Sequence, residues 1–129
     1  MIDDKRKRLS SMNDPLGREV LLAFWKAHVL HHAASRPVYG LWLIEELAEH
    51  GYRLSPGTLY PLLARMERNG WLRAEPGERP NARKNYRITR EGRRVLHALR
   101  GHIEELHREV VRDVEPRRRS RRDTKEKTR

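Results

Sequence analysis

Ser55, Thr58 and Tyr60 set three hydroxyls around Gly57, between the two prolines Pro56 and Pro61, in the stretch RLSPGTLYPLLARMERNGWL at residues 53–72. Hydroxyls so placed can act as nucleophiles or as hydrogen-bonding groups. The chain has no nucleophile motif, no Gly-rich phosphate loop and no paired carboxylates, since Glu45-Glu46 and Glu104-Glu105 are adjacent on helices and point apart. Hydrogen bonding is therefore the chemistry expected, and enzymatic activity is not. Ser-Pro-Gly is a helix start, and a helix start has free backbone N–H groups and partial positive charge that receive phosphate. With Ser55 as cap and Pro56 in the first helical position, Pro61 falls beyond the first turn and removes one helical N–H. With a start nearer Thr58, Pro61 sits in the first turn at little cost. The sequence leaves both open.

A second cluster is imidazole. His28 and His32 stand at i, i+4, a spacing that can bind one metal, with His31 between them. No acidic residue or cysteine is near them in sequence, so no metal site and no cofactor is expected. His97, His102 and His107 recur every five residues, which walks around a helix instead of lining one face.

The charge says what such groups would meet. The 129 residues carry a formal net charge of +11, and 36% of them are charged. That balance favours an anionic partner, nucleic acid before a membrane surface. Residues 115–129 hold eight Lys/Arg against three Asp/Glu with nothing apolar to bury, the composition of a disordered basic tail. Such a tail serves phosphate contact or solubility, and composition does not choose between them. The absence of cysteine excludes disulfides, zinc knuckles and a thiol nucleophile. No apolar run approaches the ~20 residues of a membrane span and the N-terminus lacks a secretory h-region, so a cytoplasmic protein is expected.

The elements that position these groups can be read in turn. Asp14-Pro15 starts a helix that runs to about Ala34, apolar on two faces: Leu16, Val20, Phe24 and Ala27 on one, Leu21, Trp25 and Val29 on the other. Both faces need cover, one from the chain's own core and one from a second subunit. LWLIEELAEHG is a second helix, with Leu43, Ile44, Leu47 and Ala48 inward and Gly51 as its stop. The third runs from Ser55 to Asn69-Gly70, burying Leu59, Leu62, Leu63 and Met66. WLRAE and KNYRI alternate as the strands of a hairpin, and Thr89 caps a long last helix with Glu91 in its first turn. Helix, helix, helix, strand, strand, helix is the order of a winged helix-turn-helix, a mainly α fold with a small β-hairpin.

In the last helix Leu96, Leu99, Ile103, Leu106 and Val110 step by three and four, an a/d seam. From Thr89 to Asp113 it would measure ~37 Å, longer than the preceding domain needs, so the seam is expected to meet a second copy. Val20, Phe24, Leu96, Leu99, Ile103, Leu106 and Val110 are the expected dimer contacts. The expected organisation is an N-terminal tail at 1–13, a DNA-binding domain at 14–88, a dimerisation helix at 89–114 and a basic tail at 115–129.

LSPGTLYPLLARMERNGWL resembles the third helix and first wing strand of the PadR family of bacterial transcriptional regulators. RKNYRITREGRRVL resembles the second wing strand and the opening of the last helix, and VYGLWLIEEL the second-helix entry. The resemblance spans roughly Leu16 to Val110, and the single last helix fits the smaller subfamily. Two positions depart from it: Tyr39-Gly40-Leu41 replaces His-Gly-Tyr, and Asn85 replaces the first tyrosine of Arg-Lys-Tyr-Tyr. The resemblance implies a homodimeric repressor of a palindromic operator, relieved in many relatives by a small molecule. Some of those molecules stack on tryptophan. No aromatic residue lies between Thr89 and Val114, which leaves Trp25 as the remaining platform, with packing in a dimer core as its competing role.

In a helix-turn-helix the third helix offers its N-terminal residues to the major groove of double-stranded DNA. Ser55, Gly57, Thr58, Tyr60 and Pro61 are therefore the expected contacts, with Gly57 admitting the backbone to the duplex. Arg83 and Lys84 align with the family's wing basics and join them, and Arg65 and Arg68 are weaker candidates for phosphate. Two other readings remain: a sequence-indifferent binder driven by the basic tail, and a protein-interaction module that kept the fold without the operator.

Overall fold

The computed structural model describes residues 15–76 and 83–112. Helices α1 (Pro15–Ala33), α2 (Gly40–Glu49) and α3 (Pro56–Arg68) are followed by strands β1 (Leu72–Glu75) and β2 (Asn85–Ile88). The last helix, α4, is α-helical over Arg90–Leu106 and passes into a π-helical segment, His107–Arg112. The expected tails at 1–13 and 115–129, Asp14 as cap, and most of the loop between the strands lie outside the described residues.

Two helix ends are fixed by the same device. At the end of α2 the amides of Gly51 and Tyr52 donate to the carbonyls of Ala48 and Leu47, with Gly51 at φ 92°. At the end of α3 the amides of Gly70 and Trp71 donate to Glu67 and Met66, with Gly70 at φ 84°. Both are Schellman motifs, and the positive φ is why glycine stands at each C′ position. They turn the chain sharply, so α3 packs against α2 and the hairpin follows at once.

Leu43 and Leu47 of α2 meet Leu59, Leu62, Leu63 and Met66 of α3 in one core with Leu21, Trp25, Val29 and Leu30 of α1. Tyr86 and Leu72 bring the hairpin into it. Ala48, expected inward, is exposed, because only one stripe of the short α2 reaches the core. The strands pair antiparallel with Leu72 opposite Ile88 and Glu75 opposite Asn85. A third segment joins them: Val38 and Tyr86 exchange backbone hydrogen bonds of 3.0 and 2.7 Å. The connector between α1 and α2 is thereby stitched to the wing.

The start of α4 belongs to this core. The Thr89 hydroxyl accepts from the Gly92 amide at 2.9 Å, an N-cap, and donates to the Gly70 carbonyl at 2.6 Å. Gly92 lies so close to the Trp71 carbonyl that a Cβ there would collide with it and with Ile88. Leu96, expected at the dimer interface, is buried within its own chain at 4% exposure, because α4 is held this tightly over its first two turns. The first compact unit of the chain runs through Leu96.

The remainder of α4, from His97, forms a second unit. The expected seam is exposed there at Ile103, Leu106 and Val110, as is Val111. The π segment replaces the α-helical continuation expected to Val114. Its i→i+5 winding sets Val111, as well as Val110, over Leu106.

Gly92→Ala would stabilise by roughly 1 kcal/mol on helix propensity alone. Here it should instead lower the melting temperature, whereas Gly101→Ala, with open space around its Cβ position, should raise it. Thermal unfolding of both variants by circular dichroism checks the pair. Equal shifts would contradict the close approach of α4 to Trp71.

Candidate nucleic-acid interface

Helix α3 begins at Pro56 with Ser55 as its N-cap residue, so Pro61 lies inside the helix. Of the two starts that the sequence leaves open, this is the one adopted. Proline at position 61 has no N–H, so the carbonyl of Gly57 has no i+4 donor. The amides of Thr58 and Leu59 both reach back to the Ser55 carbonyl at 3.0 Å, closing the first turn without a side-chain cap. The Ser55 hydroxyl lies 3.4 Å from that of Thr58 and makes no cap bond, so both stay at the surface of the turn.

Ser55, Gly57, Tyr60 and Pro61 are exposed and Thr58 is partly so, all at one end of a helix whose other face is buried. Gly57 has no positive φ, and a Cβ added to it would meet only the Ser55 hydroxyl at 3.6 Å. Nothing inside the protein requires glycine there. Tyr60 is half exposed, and its ring lies across Gly40 at the start of α2, where any Cβ would strike it. That contact makes Gly40 the seat of the Tyr60 ring, with the phenol oxygen resting against the start of α2.

Arg83 and Lys84 are exposed at the foot of β2. The Arg83 guanidinium stacks on the Tyr39 ring, 3.8 Å from its centroid. Tyr39, one of the two departures at the second-helix entry, thus holds a wing arginine beside the start of α2. The hairpin adds two residues that the sequence did not single out. Arg73 and Arg87 stand directly opposite each other on its exposed face, a like-charge pair. Arg87 is bound diagonally by Glu75 at 2.6 Å, which neutralises one of the two. The strand pattern put each arginine outward, but the nine residues between β1 and β2 left their register undetermined.

The histidines are placed differently from expectation. His50, at the C-cap of α2, joins His28 and His32, and the possible ligand nitrogens of all three lie within 4.8 Å of one another. A carboxylate is present too: Glu46 Oε2 is 3.6 Å from His32 Nε2 and 3.5 Å from His50 Nε2. The acidic residue missing near His28 in sequence comes from a neighbouring helix. Burial, then the imidazoles of His50, His32 and His31, hold His28 below its ordinary value, with Glu46 opposing. Burial followed by His31 does the same to His32, against Glu46.

Trp25 is almost wholly buried in its own chain, edge-on to Tyr52 with ring centroids 6.2 Å apart. It is neither a dimer-core residue nor a surface on which a flat ligand could stack. On the opposite face of α1, Phe24 is 47% exposed and Val20 partly so.

Residues 29–98 match the transcriptional regulator PadR-like family. The chain belongs to that family. Over 95 residues, 73% of this chain and 89% of the relative, it is 50% identical to the transcriptional regulator Rv3488 of Mycobacterium tuberculosis. A PadR family transcriptional regulator from Eggerthella lenta is 31% identical and superposes with a TM-score of 0.60, covering 81% of this chain and 97% of its own. A PadR-like transcription factor from Bacteroides fragilis reaches a TM-score of 0.66 at 27% identity, covering 75% and 96%. The winged-helix fold and the role of transcriptional regulator follow. No helix among the described residues is long and apolar enough to cross a membrane.

The lowered His28 and His32 give this PadR-like protein a pH dependence with a definite sign. Below the ordinary value of 6.5 the unfolded chain binds protons that the folded one resists, so stability falls as pH drops through that value. The melting temperature should be lower at about pH 5.5 than at about pH 7.5, and the difference should shrink in the His28→Gln, His32→Gln double variant. An undiminished difference would place the sensitivity elsewhere.

Proposed function

We propose that this protein is a homodimeric repressor that binds a palindromic operator in double-stranded DNA, without catalytic activity. The observation that carries the reading is the first turn of α3. It is an exposed helix start with hydroxyls from Ser55, Thr58 and Tyr60, no side-chain cap, and a glycine that the protein's own packing does not need. In the major groove, Gly57 would let the backbone close on the duplex while the hydroxyls reach phosphates and base edges. Arg83, Lys84 and the Arg73/Arg87 pair would supply wing contacts to phosphate, and the like-charge pair is relieved when an anion meets it.

Two apolar surfaces support a dimer. Phe24 and Val20 form one on α1, and Leu99, Ile103, Leu106, Val110 and Val111 form the other on α4. Large apolar side chains exposed at these levels, spaced as a helix seam, fit a second copy of the chain. Residues 97–112 act as a dimerisation helix in this reading, and the winged-helix domain before them reads the half-site. A cytoplasmic location accords with a DNA-binding role.

Selection of bound sites from a random duplex library at near-physiological salt should return an inverted repeat with half-sites about one helical turn apart. Recovery of no motif, with binding that vanishes as salt rises and collapses on deletion of residues 115–129, would favour the tail-driven binder instead.

On the recovered operator, Gly57→Ala should weaken binding at least tenfold while leaving the melting temperature equal or higher, since alanine favours the helix by up to about 1 kcal/mol. Tyr60→Ala should also weaken binding and leave the dimer intact. Ile103→Asp should yield monomers by analytical ultracentrifugation. Unchanged affinity of Gly57→Ala at matched salt would remove the first turn of α3 from the interface.

A further inference from the structure

The histidine cluster between α1 and α2 has no role in the reading given so far. His28 and His32 lie one turn apart on α1; Glu46 and His50 lie one turn apart on α2, facing them. Three imidazoles from two helices therefore gather with their possible ligand nitrogens within 4.8 Å of one another, and the Glu46 carboxylate adjoins two of them. His32 Nε2 is shut off from solvent and makes no hydrogen bond, since Glu46 stops 3.6 Å short. A buried ring nitrogen without a partner is costly unless something else meets its lone pair. The rings around it are packed: His32 is edge-on to Trp42 at 5.3 Å, and His28 is edge-on to Tyr52 at 5.6 Å.

We propose that His28, His32, His50 and Glu46 form a site for a single divalent transition-metal ion of the zinc type, which clamps α1 to α2.

The donor set suits that class. Imidazole nitrogen with one carboxylate oxygen is a zinc, cobalt or nickel environment, and no thiolate is available to draw a softer ion. The geometry needs the three nitrogens, now within 4.8 Å of one another, to draw together around the ion. Ligand atoms around a tetrahedral zinc stand about 3.3 Å apart, given metal–nitrogen bonds near 2.0–2.1 Å. The Glu46 oxygen is already 3.6 and 3.5 Å from two of the nitrogens, and the three nitrogens lie within 4.8 Å of one another. His50 is about half exposed at a helix end, so it can swing in at little cost.

The place of the site gives it a consequence. Helix α2 is the first helix of the helix-turn-helix, and its Gly40 seats Tyr60 of α3. Helix α1 carries Phe24 on its open face. An ion joining α1 to α2 therefore ties the reading head to the helix proposed to meet the second subunit. This names the effector class of the repressor and rests on that function for its regulatory half. Metal and operator affinities must then be coupled reciprocally.

Full-length protein, freed of metal with a chelator, would be titrated with zinc by calorimetry and with cobalt by visible absorption. One ion per chain, an intense cobalt d–d band of low coordination, and a rise in melting temperature are expected. His50→Gln should weaken zinc binding at least tenfold, with unchanged far-ultraviolet circular dichroism, and His102→Gln, on the exposed part of α4, should not. Absence of saturable binding, or equal affinity in the two variants, would overturn the site. On the operator, zinc should change the affinity of the wild-type protein at least fivefold and that of His50→Gln by less than twofold. A bound ion with no effect on operator affinity would overturn the regulatory half alone. If no operator is recovered, the repressor reading fails while the calorimetry still decides the site.

Discussion

Helix α3 must do two incompatible things, and the rest of the winged-helix unit is arranged around that. Its face of Leu59, Leu62, Leu63 and Met66 is buried, which contributes roughly 6–12 kcal/mol at 1.5–3 per side chain and fixes the helix rigidly. Its first turn is at the same time left uncovered, with Ser55, Gly57 and Tyr60 exposed. The solution is to bury the helix from its fourth residue onward and leave the start projecting. The Schellman turn at Gly51 delivers the chain to that start, and the one at Gly70 takes it away into the hairpin. The cap of α4 by Thr89 returns to the Gly70 carbonyl, so the end of α3, the wing and the last helix share one small junction.

Much of this was legible in the sequence, because the signals were local. Ser-Pro-Gly, Asn-Gly and Thr89 mark chain reversals by residue chemistry alone, and the 3.6-residue spacing of α3 identifies its core face. The two faces of α1 were also correctly separated, one covered by the chain's own core and one left with Phe24 exposed. What could not be read was set by distance in space. Leu96 continues the periodic seam of α4 without a break, and only the approach of Gly92 to Trp71 shows that it belongs to the winged-helix core. The opposition of Arg73 and Arg87 depended on a register across a long loop. The gathering of His50 and Glu46 onto His28 and His32 depended on how α1 and α2 cross, which no spacing along the chain encodes.

The groups that settle these positions share a character. Each is a polar or small group whose meaning comes from a neighbour on another element: a glycine beside a carbonyl, an arginine beside an arginine, an imidazole beside a carboxylate. The wing shows it again. Val38 and Tyr86 join the α1–α2 connector to β2, and Arg83 rests on Tyr39 next to that ladder. The hairpin is thus attached to the helix-turn-helix through main chain and side chain together, and it moves with α2 instead of hanging from its own strands.

Pro61 has a mechanical consequence of its own. By lacking an amide it omits one rung of the hydrogen-bond ladder, one of those that join the first turn of α3 to the buried turns above it. The segment Pro56–Tyr60 is therefore tied to the part of the helix that holds the core together by one hydrogen bond fewer than a regular helix would provide. One residue thus divides a single short helix: the part beyond it is anchored in the core, and the turn before it is held by one hydrogen bond fewer.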